Sequence, residues 1–302
     1  PFDLDIIYED KNILIINKPM GVLSQRASKN DFSMVEYVIS YMLSSKQISD
    51  EELQSFKPGI CNRLDRNTSG LLIAGKTLIG LQEMARIIRE RKLDKYYLAI
   101  VRGKLSEKKE IIGYLTKDKQ SNRVTISSKQ TENSDYIATH YEPLTYTDDD
   151  SLLEVKLITG RSHQIRAHLA SIGHPIIGDS KYGDKMINKN FKNKYGLQSQ
   201  LLHSYRYVFP QLLGLRGSML EEMINITNSK YREKQLALIQ KVPTPITPIN
   251  IDKESKQISL AYFEQKSTVD YIGVVQGIPV CFDAKECAGD SFSLNNVHEH
   301  QI

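Results

Sequence analysis

Tryptophan is absent from this 302-residue chain, cysteine occurs three times, and no apolar run approaches the length of a bilayer crossing. Cys61, Cys281 and Cys287 make neither an even set nor a Cys-x-x-Cys pair. That excludes a disulfide framework and fits a reducing cytoplasm. The longest aliphatic run near the start, Ile13 to Ile16, is too short for a signal-peptide core or a membrane helix, so no membrane partner is expected. Internal repeats are lacking as well.

A strong charge of one sign is also missing. Lys and Arg total 40 against 36 Asp and Glu, a net charge of +4. Residues 214–302 carry 9 basic and 11 acidic side chains, leaving 31 and 25 before them. The first part is therefore mildly basic, which suits RNA phosphates without requiring them. With 40% hydrophobic residues the chain has material for ordinary cores, and its length suits two domains. Beginning at Pro1 rather than Met, it reads as a fragment or a processed product.

What is present centres on Cys61-Asn62-Arg63-Leu64-Asp65-Arg66-Asn67-Thr68-Ser69-Gly70. A carboxylate between two guanidinium groups is an anion at neutral pH, ready to act as a nucleophile or a base. Alone, such a string reads as an exposed turn with solvated arginines. It has company: Lys95 to Gly103 reads as a strand rich in aromatic and branched residues, and Thr159-Gly160-Arg161-Ser162-His163-Gln164-Ile165-Arg166 follows an alternating strand and opens a helix that must end near Gly173 and Pro175. Gly178-Asp179-Ser180-Lys181-Tyr182-Gly183 adds a turn.

Around these motifs, strands are expected over Leu4 to Tyr8 and Asn12 to Asn17, and a helix after the N-cap Ser33 with Met34, Val38 and Met42 inward. A second helix opens at Thr77, with Leu78, Leu81, Met84, Ile87 and Ile88 inward and a basic cluster of Arg86, Arg89, Arg91 and Lys92 on its surface. Thr116 to Asp135 and Thr145 to Ser151 read as surface loops. The mixture lacks βαβ alternation, which argues for an α+β domain on a largely antiparallel sheet.

The Arg-Leu-Asp-x-x-Thr-Ser-Gly loop, the Lys-x-Tyr-x-Ala-x-Val-x-Gly strand, the Thr-Gly-Arg-x-His-Gln-Ile-Arg element and the Gly-Asp-x-x-Tyr-Gly turn, in that order, resemble the RluA-type family of RNA pseudouridine synthases over about residues 3–213. The resemblance implies the pseudouridine synthase fold in a catalytic domain over 1–213, which is expected to act as a monomer on ribosomal or transfer RNA without a cofactor. It implies Asp65 as the catalytic carboxylate, Tyr97 stacked on the target base, and Arg166 paired with Asp65. Arg63, Arg66, Arg161, His163 and Gln164 are then read as RNA-binding, with a structural role left open for Arg161 and His163. Asn62 departs from the pattern, since many members carry His there. A zinc site from His163, His168 and His174 is disfavoured by irregular spacing. Cys61 has no base to activate it and reads as a small buried residue.

Composition shifts after Gly214. Residues 214–302 resemble the front of RecU-type Holliday junction resolvases through Ser267-Thr268-Val269-Asp270-Tyr271 and Phe282-Asp283-Ala284-Lys285. The resemblance implies a truncated restriction-endonuclease-like α/β segment, with Asp270 and Asp283 as Mg²⁺ ligands, Lys285 stabilising phosphate charge and Glu221 an added ligand. Asp270 is expected to be brought to Asp283 by a hairpin whose turn is marked by Gly273 and Gly277. Branched DNA is the partner this segment implies. Two other readings stay open: a Mg²⁺-dependent structure-specific DNA endonuclease, and an RNA-binding protein without catalysis.

Overall fold

The computed structural model describes residues 4–118, 120–209, 261–262, 271–275 and 278–282. Residues 4–209 fall into two compact units, one of 4–95 with 204–209 and one of 96–203.

The first unit opens with β1 (Ile6–Glu9) and β2 (Ile13–Lys18), paired antiparallel. Asp10 closes their turn by accepting the amides of Asn12 and Ile13 at 2.6 and 2.7 Å. Helix α1 (Met34–Ser44) begins at Ser33, whose amide and hydroxyl both donate to Glu36, and buries Met34, Val38 and Met42 along one face. A single turn, α2 (Glu52–Ser55), leads to β3 (Gly59–Ile60) and then β4 (Ser69–Gly75), which pairs antiparallel with both β2 and β3. Helix α3 (Leu78–Arg89) is capped by the Thr77 hydroxyl on the Gly80 amide. Its inward line is Gly80, Met84 and Ile87, and Gly80 sits against the Asn12 carbonyl. That close seat turns Leu78 outward, 56% exposed, contrary to the sequence expectation. The core joins Ile7, Ile13, Ile15, Leu71, Ile73, Met84, Ile87 and Leu93 to Tyr207 and Phe209 from the end of β10 (Leu202–Val208) and just beyond it.

The second unit is an antiparallel sheet of β5 (Asp94–Arg102), β9 (Asp150–Leu157), β8 (Asp135–Tyr146), β6 (Lys109–Asp118) and β7 (Arg123–Ser127), in that spatial order. Helix α4 (Gln164–Ser171) packs on β6, β7 and β8, and α5 (Lys185–Tyr195) follows on the surface. The stretch expected as a loop from Thr116 to Asp135 is largely a β6–β7 hairpin. Only one side of β7 is buried, through Val124, while Arg123 and Thr125 on the other are exposed, so polar residues mask its alternation. Likewise the loop expected at Thr145 to Ser151 shrinks to a turn in which the Thr147 hydroxyl accepts the amides of Asp149 and Asp150.

Further on, β11 (Ala261–Tyr262), β12 (Tyr271–Val275) and β13 (Ile278–Phe282) form an antiparallel meander with Tyr271 opposite Phe282. The expected hairpin is therefore there, but Gly273 lies within β12, opposite Val280, rather than in the turn. Glu221, Asp270, Asp283 and Lys285 lie outside the described residues, as does the expected boundary at 213–214.

Candidate active site

In the first unit the Asp65 loop is tied down on both sides of the carboxylate. On one side the Ser24 hydroxyl donates to the Leu64 carbonyl at 2.8 Å and accepts the Leu64 amide at 3.0 Å. On the other, the Arg66 carbonyl accepts the Gly21 amide at 2.9 Å and Lys18 Nζ at 3.0 Å. The Asp65 carbonyl itself takes the Thr68 amide at 3.0 Å. Lys18 is fully buried, and its Nζ also donates to the carbonyls of Pro19 and Val22 at 2.8 and 2.9 Å, so all three ammonium protons have acceptors. Burial pushes the Lys18 amine down to about 7, opposed by the charge of Asp65.

The loop ends at Gly70, whose φ of +112° suits glycine and where a Cβ would strike the Ser204 backbone of β10. Arg63 and Arg66 are exposed. Asn62 is built into the fold: its amide nitrogen donates to the Tyr207 hydroxyl at 3.0 Å and its oxygen accepts the Ile73 amide at 2.8 Å. Cys61 packs against the core, and burial pushes its thiol up to about 12, which leaves it inert.

In the second unit Tyr97 is 5% exposed, on the face of β5 opposite Tyr96. Arg166 is buried in α4 and donates through Nε and Nη2 to the two oxygens of Asp179 at 2.7 and 2.8 Å. Burial would raise the Asp179 carboxyl, but Arg166 and the amides of Tyr182 and Lys181 hold it below the usual carboxylate range. The Tyr182 ring lies between two guanidinium groups, 5.2 Å from Arg166 and 5.5 Å from Arg123. Its hydroxyl accepts the Val124 amide at 2.9 Å and is hydrogen-bonded to His163 Nδ1 at 2.9 Å.

His163 holds a left-handed backbone, φ 55°, at the start of α4. Arg161 is half-exposed and bridges to Asp135 at 3.0 Å. Gln164, named above among candidate RNA contacts, is 2% exposed. Its oxygen accepts the Thr159 hydroxyl and the Arg161 amide, and its nitrogen donates to the Ala138 carbonyl and Thr139 hydroxyl, so it shapes the loop from inside. His168 and His174 are engaged by Thr139 and by the Arg102 carbonyl. Sequence reasoning passed over Lys18, Ser24, Asp179 and Tyr182 as site residues. The signal for Lys18 was a lysine closing a strand that opens with four aliphatic residues, Ile-Leu-Ile-Ile-Asn-Lys.

An antiparallel sheet carrying these motifs is the pseudouridine synthase fold. Among solved structures, human RNA pseudouridylate synthase domain containing 1 superposes with a TM-score of 0.55 at 25% identity, covering 69% of this chain and 79% of that one. Residues 12–171, more than half of the chain, match the family model described as RNA pseudouridylate synthase; the chain belongs to that family. Similar relatives include the ribosomal large subunit pseudouridine synthase D of Borreliella burgdorferi, 34% identical over 67% of this chain and 59% of that one. The tRNA pseudouridine synthase C of Vibrio parahaemolyticus is 32% identical over 70% of this chain and 87% of that protein. The chain thus spans about three fifths of the Borreliella protein's length. Residues 215–302 match a second family model, Recombination protein U.

Proposed function

We propose that this chain converts uridine to pseudouridine in ribosomal or transfer RNA. The reaction breaks the bond from C1′ to N1 and forms one from C1′ to C5. The C5 proton is lost and N1 gains one, so neither redox change nor energy input is needed. Asp65 attacks the sugar or assists departure of the base. Tyr97 stacks on the flipped base, worth roughly 1–3 kcal/mol against the few needed to unstack it. Arg166 pairs with Asp65 and fixes its charge, while Arg63, Arg66, Arg161 and His163 meet the RNA.

The observation that carries this reading is the pinning of the Asp65 loop by Ser24, Gly21 and Lys18, which prepays the ordering of a carboxylate before substrate arrives. Asp65→Asn tests it, since the amide keeps the shape and loses the anionic oxygen. Tritium release from RNA containing 5-tritiated uridine should fall to background with folding intact. Release near the wild-type rate would refute the assignment.

A further inference from the structure

We infer that helix α5 is a docking rail for the phosphate backbone of the RNA substrate, an inference that rests on the RNA reading above. Eleven residues of α5 hold Lys185, Lys189, Lys192 and Lys194 and no acid, and the helix fully buries none of its side chains. Ile187, Asn188, Phe191 and Tyr195 form its half-buried side. At about 100° per residue, Lys185, Lys189 and Lys192 fall within about 60° of one another, on a stripe roughly 10 Å long beside that packed face. All three are exposed. Among the described residues none of the three meets a carboxylate.

The basic cluster on α3 behaves differently. There Arg86 is gripped by Glu83 and Glu90, and Lys92 by Glu90, so much of its charge is spent within the protein. The α5 stripe is instead held out to solvent on a rigid mount. Asp184 caps the helix through the amides of Met186 and Ile187, and Gly196 closes it in a left-handed conformation. Asn188 fastens it to the Arg166 clamp: its oxygen accepts the Gly178 amide at 2.7 Å and its nitrogen donates to the Asp179 carbonyl at 2.8 Å. A helix that adds little to the core, carries three aligned ammonium groups and is bolted to the turn holding Arg166 suits a polyanion that must be positioned relative to that arginine.

The test is binding of the full-length protein to a fluorescein-labelled RNA stem-loop with uridines in its loop, measured by anisotropy from about 50 to 300 mM KCl. Replacing Lys185, Lys189 and Lys192 by Gln should flatten the plot of log affinity against log salt by about 2 to 3, because each lost phosphate contact removes about 0.7–0.9 of slope. Lys194→Gln, on the opposite side of the helix, should leave the slope alone. The inference is overturned if the triple variant keeps the wild-type slope, if Lys194→Gln changes it as much, or if only a four-way DNA junction registers the loss. A flattened slope in a protein that never releases tritium would keep the rail and reject the isomerase, and an active isomerase with an unchanged slope would do the reverse.

Discussion

Asp179 accepts both Nε and Nη2 of Arg166, and neither side chain is more than 8% exposed. A guanidinium so placed needs its carboxylate more than the fold needs the pair. Asp179→Ala should therefore cost roughly 3–5 kcal/mol, since it removes one partner of a buried ion pair. Urea denaturation measures this, and a loss below about 1 kcal/mol would mean that the clamp is not structural.

Ser24 should matter to catalysis although its hydroxyl bonds only main chain. Ser24→Ala removes both bonds to Leu64 and leaves a buried amide and carbonyl to find other partners, at about 1–3 kcal/mol. The Asp65 loop then loosens, so kcat should fall more than KM changes. Steady-state kinetics on one RNA decide it; an unchanged kcat would show that the loop holds its shape without the serine.

Asn62 uses one donor and one acceptor, toward Tyr207 and Ile73. A neutral imidazole offers the same pair. Asn62→His should retain most stability and activity, whereas Asn62→Ala should lower the thermal midpoint, because the Ile73 amide loses its acceptor while the Tyr207 hydroxyl keeps only Ser204 and Leu71. Equal midpoints for the two variants would count against the bonding role.

Acid should destabilise the protein before its carboxylates are fully protonated. Burial pushes His168 down to about 4 and His203 down to about 3, so both stay neutral in the fold while the unfolded chain takes up protons near 6.5. The unfolded chain then binds more protons between pH 6.5 and 4, and stability falls as pH drops through that window. Denaturation midpoints at pH 7, 6 and 5 should decline in order, and His203→Gln should shrink the decline. A flat series would contradict it.

Much of this could be read from residues alone because the signals were local. The cap at Ser33 and the apolar spacing after Thr77 marked their helices, aromatic and branched residues marked β5, and alternation marked β9. The β6–β7 hairpin was hidden because its outer face is polar, and Leu78 was misplaced because the seat of α3 is set by Gly80 against a distant carbonyl. The motif supplied Asp65 and Arg166. It did not supply the groups that hold them, since Ser24 lies 40 residues from Leu64 and Lys18 lies 48 from Arg66. Pairings across such separations leave no periodic trace. Gln164 shows the opposite failure: a polar residue inside a functional motif reads as ligand-facing until its burial is seen.

Tyr207 and Phe209 complete the core of a unit whose other members end at Leu93, and between them runs the whole of the second unit. This fixes an order of events on the ribosome. Residues 96–203 can emerge and close their own sheet before the first unit has its last strand, while Ile7, Leu71 and Ile73 wait with an open face until residue 209 has left the exit tunnel. The half that is made first is finished last, so a pause or truncation shortly before Ser204 would leave the Asp65 loop attached to an unclosed core.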